Sequence, residues 1–565
     1  MNKPMIKTGL LLVCLFCLLS FTISAQPGKG NDVIVIGDFT PKLADAEKIQ
    51  EIPVVDDTST TEFKVGYELQ SRKVPTAFEI DPIKAAKVKG EPLNKIYQGF
   101  VKGGFGSYMS PFGELYYGSE RNKYSMSGLR LRHFSSSGQI ANVGYSGFSN
   151  NEINVFGKSI RKKVVFGGNI DYRRDVVHYY GFRTNPVDTS LWLDYGLEKS
   201  DIRQRYQLVG INGSITDNYP VDTHATKYRV DLKYHNYMDA FDAQENRFLV
   251  NGDVSFYYRL YSFNIKSSLD VYKNQNISWS DNFTLFNLRP SVLFKQSNWR
   301  LRAGLNVYAS TDSSNGFRFA PEVDFDLHLF DDILVLNLGT DSRINRFSYR
   351  ILTEENPWLR SDVLPLNTWN PFRLYGGLRG AFSSKLAFNV QVSYTPQIEN
   401  QYFFVDDTSA GNWNKLTYVT DNVSLFEVHG EITWQNSEKL KLIARTDYLG
   451  YTTDSQEKAW YVPSLRLSLS GKYNLQDKIG LELTLLTRNR QFYREFLTDD
   501  LTGVQSPVSK QLKGIADLNI GAEYRYTKRL GMFIRMQNIL NVRYKRYLNY
   551  PTQRFMLLGG LNYLF

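Results

Sequence analysis

Residues 554–565 read RFMLLGGLNYLF, and their alternation decides the architecture. Taken with period two, Phe555, Leu557, Gly559, Leu561, Tyr563 and Phe565 share one face. Arg554, Met556, Leu558, Gly560, Asn562 and Leu564 share the other. Soluble domains usually fray into polar residues at their ends. A strand with an aromatic at its last position is instead expected to be paired on both edges, closing a sheet on itself.

The same period recurs upstream. In SLRLSLSGKYNL (464–475), Leu465, Leu467, Leu469, Tyr473 and Leu475 oppose Ser464, Arg466, Ser468, Lys472 and Asn474. KGIADLNIGAEYRY (513–526) repeats this with Ile515 as the exception, and WRLRAGLNVYA (299–309) and KYRVDLKYH (227–235) follow suit. Such runs exceed the five or six residues of an average soluble strand. Apolar to one side and charged to the other is the pattern of a transmembrane strand with a wet interior.

Composition agrees. The chain has 565 residues with 14% aromatics, including 37 Tyr and 36 Phe, yet its mean hydropathy is −0.36. No window after the N-terminus holds 18 apolar residues, which excludes a spanning helix and leaves the closed barrel. MNKPMIKTGLLLVCLFCLLSFTISAQ begins with Lys3 and Lys7, continues with an apolar run and offers Ser24-Ala25 before Gln26. It reads as a signal peptide over 1–25. Cys14 and Cys17, the only cysteines, follow Val13 and Phe16 rather than small residues, against a lipoprotein signal. Without them the mature chain has no disulfide or thiol chemistry.

From residue 96 the pattern gives about 22 strands. Every second junction is short, as in SERNK, SIRKK, LFDDI, QNSEK, LQDK and YTKR. The intervening ones are often long, including residues 178–201, 353–370 and 496–510. Short turns at one rim and long loops at the other predict an outer-membrane barrel with periplasmic turns and extracellular loops. The expected fold is therefore all-β: a transmembrane antiparallel barrel over 96–565, preceded by a short periplasmic or lumen-threading segment over 26–95.

The last thirty residues resemble the C-terminus of TonB-dependent receptors, on Asn538, Tyr544, Pro551, Arg554, Gly560, Tyr563 and Phe565. The resemblance implies a 22-stranded barrel and a role for Tyr563 and Phe565 as the signal read by the barrel insertion machinery. It also gives NDVIVIGDFTPK a meaning: Asp32, Val33, Ile34, Val35, Ile36 and Gly37 look like a TonB box, which lends a strand to a periplasmic energy-coupling protein. A short edge strand or tether is the competing reading. The family's plug domain has no counterpart of its usual length between 43 and 95, and its Ile-Arg-Gly motif is missing, so the plug is expected to be absent or reduced.

The chemistry-bearing residues are sparse. His133, His178, His224, His235, His328 and His429 show no zinc spacing, and no metal or cofactor is expected. His133 beside Ser135, Ser136 and Ser137 is the single place where a hydrolase reading survives, and no catalytic residue is assigned. Gly103, Gly104 and Gly106 lie within a strand and read as points of close backbone approach, not a phosphate loop. DDTSAGNWN from Asp406 lacks the acidic spacing of a calcium loop.

The polar faces carry Lys227, Arg229, Lys233, Arg300, Arg302, Arg466 and Lys472 toward the expected lumen. Formal net charge is +10, or +8 without Lys3 and Lys7. A basic wall favours anionic solutes. The competing expectation is that these cations brace the barrel by pairing with acids such as Asp517 and Glu523. Trp192, Trp358 and Trp369 are assigned to outer loops, either as an interfacial girdle or for recognition. Two functions remain open: binding or passing a solute across the outer membrane, or serving as a non-transporting subunit that docks surface lipoproteins or other barrels. No nucleic-acid partner is expected.

Overall fold

The computed structural model describes residues 97–120, 122–181, 198–218, 225–258, 261–311, 316–330, 333–407, 415–498 and 505–565. The chain divides into Met1–Lys95 and Ile96–Phe565. The signal peptide, the segment 26–95 with Asp32–Gly37, Trp192 and His224 lie outside the described residues.

One antiparallel sheet of 22 strands closes on itself. Nineteen consecutive strands run from β1 (Gly99–Gly106) to β19 (Ile479–Arg488). They are followed by β22 (Ile515–Arg525), β23 (Leu530–Gln537) and β26 (Met556–Leu564), and β26 returns to pair with β1. The final aromatic completes the seam: Phe565 N–H donates to Gly99 O at 2.9 Å, and Phe565 O accepts from Gln98 and Gly99 N–H. No ladder edge is left for lipid.

The two faces separate as the alternation requires. Val101, Ile153, Phe166, Ile170, Ile211 and Leu561 are exposed on the outside. Water would penalise such a band at about 25 cal/mol per Å² of apolar surface, so it belongs in hydrocarbon, and the fold is that of an outer-membrane barrel. Inside, charges are paired across strands. Arg130 reaches Glu114 at 3.1 Å, Arg132 reaches Glu152 at 3.3 Å, and Lys102 spans the seam to Glu523 at 3.2 Å.

Glycines permit the seam. Gly103 and Gly104 stand opposite Leu561 and Gly560. A Cβ on Gly560 would lie 2.1 Å from Gly103 O and 2.6 Å from Gly104 Cα. The glycine run in β1 thus serves close backbone approach.

Three long junctions carry structure of their own. Residues 349–355 form a helix, α1 (Tyr349–Glu355), which runs into the start of the long junction expected over 353–370. Ser348 Oγ caps it by accepting from Ile351 N–H, and it stops at Asn356 before Pro357. β20 (Gln491–Thr498) and β21 (Gln505–Leu512) form a hairpin between β19 and β22. β24 (Lys545–Tyr547) and β25 (Tyr550–Pro551) form another between β23 and β26. Trp369, expected in a loop, stands in β14 (Leu366–Ser383), paired with Ile344 of β13 (Leu334–Phe347). The polar NTWN tail resembles a loop, but its backbone pairs with β13.

Candidate functional site

The outer mouth is bridged. After α1, residues 356–364 form a strap that touches two far sides of the ring. Tyr179, just after β5 (Val164–His178), donates its hydroxyl to Leu359 O at 2.9 Å. Tyr206 of β6 (Arg203–Asp217) donates to Pro357 O at 3.0 Å. On the other side Arg360 N–H donates to Leu416 O at 2.9 Å, and Leu416 N–H to Trp358 O at 3.0 Å. Leu416 opens β16 (Leu416–Gln435), ten strands round the ring from β6 and nearly opposite it.

An aromatic core locks this strap. Trp358 stacks on Tyr550 of β25 with centroids 4.1 Å apart, and its indole N–H donates to His178 O at 3.1 Å. Tyr180 donates to Pro551 O at 3.0 Å. Tyr206, Tyr237, Tyr349, Leu359, Leu416 and Tyr550 belong to one buried cluster that joins opposite walls. Burial pushes the Tyr179 and Tyr550 hydroxyls up, so they remain protonated. Polar groups reinforce the lock: Gln204 Nε2 donates to Asp239 at 2.9 Å and to Ser361 at 3.2 Å. Lys415, whose ammonium burial pulls down, sits over the rings of Tyr179 and Phe241.

Trp358→Ala is expected to free the strap. Loss of a packed tryptophan costs about 3–5 kcal/mol, which raises local opening roughly 100-fold or more. Limited proteolysis within 356–364 reads this directly. Cleavage at the parental rate would place the lock elsewhere.

Beneath the roof lies a cavity of about 680 Å³. Its wall is made by β15 (Leu386–Asp406), β17 (Leu440–Thr453), β18 (Leu465–Leu475), β19 and β22, and its roof by Glu355 of α1 and the β24–β25 hairpin. Three arginines line it: Arg466, Arg488 and Arg546. Arg466 and Arg488 are directly opposite each other in the β18–β19 register. Arg546 joins them from the hairpin above. The carboxylates in the cavity hold other partners. Asp447 accepts from His429 at 2.7 Å, Asp517 from Tyr544 at 2.7 Å, and Glu355 from Tyr402. The second oxygen of Asp517 is buried and meets no donor among the described residues.

The other cations assigned to the lumen divide in two. Arg229 pairs with Asp231, Arg300 with Asp326 and Lys472 with Glu482. Lys227, Lys233, Arg302 and Arg466 have no ion pair among the described residues. Of the acids expected to brace them, Glu523 takes Lys102, and Asp517 takes a tyrosine. Arg488 and Arg546 were not singled out by sequence. Arg488 ends its strand and Arg546 sits in a hairpin, so neither falls in a long alternating run. Trp358 lies at the centre of the strap, while Trp369 is buried against Tyr308 with Arg318 over its ring.

On the outside of the barrel, His133 of β3 (Ser125–Ser136) donates from Nδ1 to Asn151 Oδ1 at 2.7 Å, and its Nε2 accepts from Ser135 Oγ at 3.0 Å. The pairing is that of a nucleophile and base. Yet Ser135 and Ser136 lie in the ladder with Ser149 and Phe148, with no turn or helix start to aim N–H groups at a tetrahedral oxygen. Ser135 is expected to remain unlabelled by a fluorophosphonate. An adduct on Ser135 that disappears in His133→Ala would show the opposite. Among the described residues no group of three or more His, Cys, Asp or Glu is placed to hold a metal ion.

No protein-family profile matches the chain. No curated protein matches it either. Solved structures do. The ferric-catecholate import receptor Fiu from E. coli K12 matches with a TM-score of 0.58 and 10% identity, covering 84% of this chain and 82% of that one. The siderophore receptor PirA from Acinetobacter baumannii matches at 0.61 and 10%, over 84% and 81%. The FrpB iron transporter from Neisseria meningitidis matches at 0.60 and 10%, over 84% and 82%. At such identity the likeness is one of fold, and it is the fold implied by the C-terminal resemblance: the barrel of TonB-dependent receptors. By description these neighbours are transport receptors, not enzymes.

Proposed function

We propose that this protein is an outer-membrane receptor barrel that binds a solute in its lumen and passes it inward when the strap over its mouth yields. The observation that carries this reading is the roofed cavity: a chamber whose arginines make no ion pair among the described residues, beneath a bridge that ties opposite walls together. A brace alone would need neither the chamber nor cations without an ion pair among the described residues. The import and siderophore receptors sharing the fold support it. In this reading Asp32–Gly37 lends a strand to an energy-coupling protein that drives the cycle.

A bridged mouth also suits a second reading, a non-transporting subunit that docks surface lipoproteins through its outer loops. Planar-bilayer recording of the reconstituted chain separates the two. A pore that opens once the strap is broken supports passage. A barrel that stays sealed with strap and residues 26–95 both removed favours the docking subunit.

A further inference from the structure

The lumen treats most of its arginines alike. Arg130, Arg132, Arg247 and Arg373 each face a carboxylate within 3.3 Å. Arg466 and Arg488 break that pattern. They stand directly opposite on neighbouring strands, where like charges destabilise a sheet, and a third guanidinium, Arg546 of the β24–β25 hairpin, lines the same cavity. No carboxylate lies within ion-pair distance of any of the three among the described residues. The acids that share the cavity are turned to His429, Tyr402 and Tyr544. Asp447 is the cross-strand neighbour of Arg466 on β17, but its carboxylate accepts from His429 and makes no ion pair with the arginine, so the three guanidiniums keep donors open to an anion.

We propose that Arg466, Arg488 and Arg546 form an oxyanion site in the barrel lumen, and that its ligand is a hydroxylated solute carrying a phosphate or carboxylate group. The inference rests on the solute-binding reading above and names the chemistry of the solute. Guanidinium forks match planar or tetrahedral oxyanions through paired N–H donors. Two forks side by side on a rigid wall, with a third from the roof, hold such a group from two directions. Asp517 supplies the complementary feature, since its second oxygen is a buried acceptor without a donor and suits a hydroxyl of the same solute. Trp460 and Tyr547 border the chamber but are packed into its wall and roof, so they shape it rather than stack on the ligand. Arg546 lies over the Tyr547 ring, 5.6 Å from its centroid, which orients the roof cation toward the chamber.

The roof also explains how the site is completed. Arg466 and Arg488 belong to the wall, but Arg546 and Tyr547 belong to the hairpin that stacks on the strap through Tyr550. Movement of the strap therefore removes a cation from the site.

The test uses the full chain purified in detergent and titrated calorimetrically at low salt with glucose 6-phosphate, glucuronate and glucose. The expected result is binding of the phosphate sugar, the carboxylate sugar or both, and none of glucose. Which of the two binds identifies the anionic group. Arg466→Gln and Arg488→Gln should each weaken binding by about tenfold or more, as loss of a charge-assisted contact does, and Arg466→Lys should recover only part. Arg445→Gln, whose cation is paired with Glu431, should bind as the parent does. Equal binding of glucose, unchanged affinity in both glutamine variants, or no binding to the folded parent would overturn the site. Each variant is checked for the heat-resistant folded form, and removal of one of two opposed charges should not unfold the wall. The strap-excision recording distinguishes the two levels of failure. A pore that opens in a protein with no affinity for either anion ends this proposal alone, whereas a barrel that never opens ends the receptor reading.

Discussion

Replacing residues 356–364 by a short glycine-serine linker, in a chain also lacking 26–95, is expected to turn a silent barrel into a large steady pore. Barrels of 16–18 strands already leave an aqueous channel, and a 22-stranded lumen is wider still. What spans this one at the outer mouth is the strap and its aromatic core. Trp358 on Tyr550, Tyr206 on Pro357 O and Leu416 on Trp358 O tie β6 to β16 across the opening. Removing 26–95 alone leaves those ties in place, so that variant should show at most a small fraction of the conductance of the double deletion. The strap deletion alone reports what the N-terminal segment contributes. If the double deletion conducts no better than the parent, the strap is not the barrier, and the gating part of the proposed function falls.

The second large effect is expected at the seam. Gly560→Ala should prevent closure, while Gly103→Ala should be tolerated. A Cβ at 560 meets Gly103 O at 2.1 Å and Gly104 Cα at 2.6 Å, both backbone atoms that cannot turn aside. A Cβ at 103 meets nothing within 4 Å. Relieving the clash requires β26 to move off β1, which exposes ladder N–H and C=O groups to hydrocarbon. The cost therefore exceeds the roughly 1–3 kcal/mol of ordinary overpacking. Heat-modifiable electrophoretic mobility of the membrane fraction measures closure. Equal folding of the two alanine variants would show that the seam register differs from the one described.

These predictions differ in how far ahead of the structure they were visible. The faces of β11 (Trp299–Ser310), β18 and β26 follow from alternation alone, because the two-residue period is set by the strand's own backbone. Strand number follows for a similar reason, since short turns join neighbours in sequence that are also neighbours in the sheet. Trp369 shows where this stops. Its polar neighbours read as loop, and only pairing with Ile344 makes it wall.

What the sequence by itself determined is thus local and periodic: an outer-membrane barrel of about 22 strands, with Phe565 at its closing strand and Lys227, Arg229, Lys233, Arg300, Arg302, Arg466 and Lys472 each on the polar face of its strand. The tertiary structure alone decided which distant residues meet. It set Gly104 against Gly560, laid Trp358 on Tyr550, turned Asp517 to Tyr544, and left Arg466 beside Arg488 in the cavity that Arg546 also lines. Those contacts depend on how the ring closes and how loops with no period of their own fold over its mouth. Neither is written in the spacing of neighbouring residues.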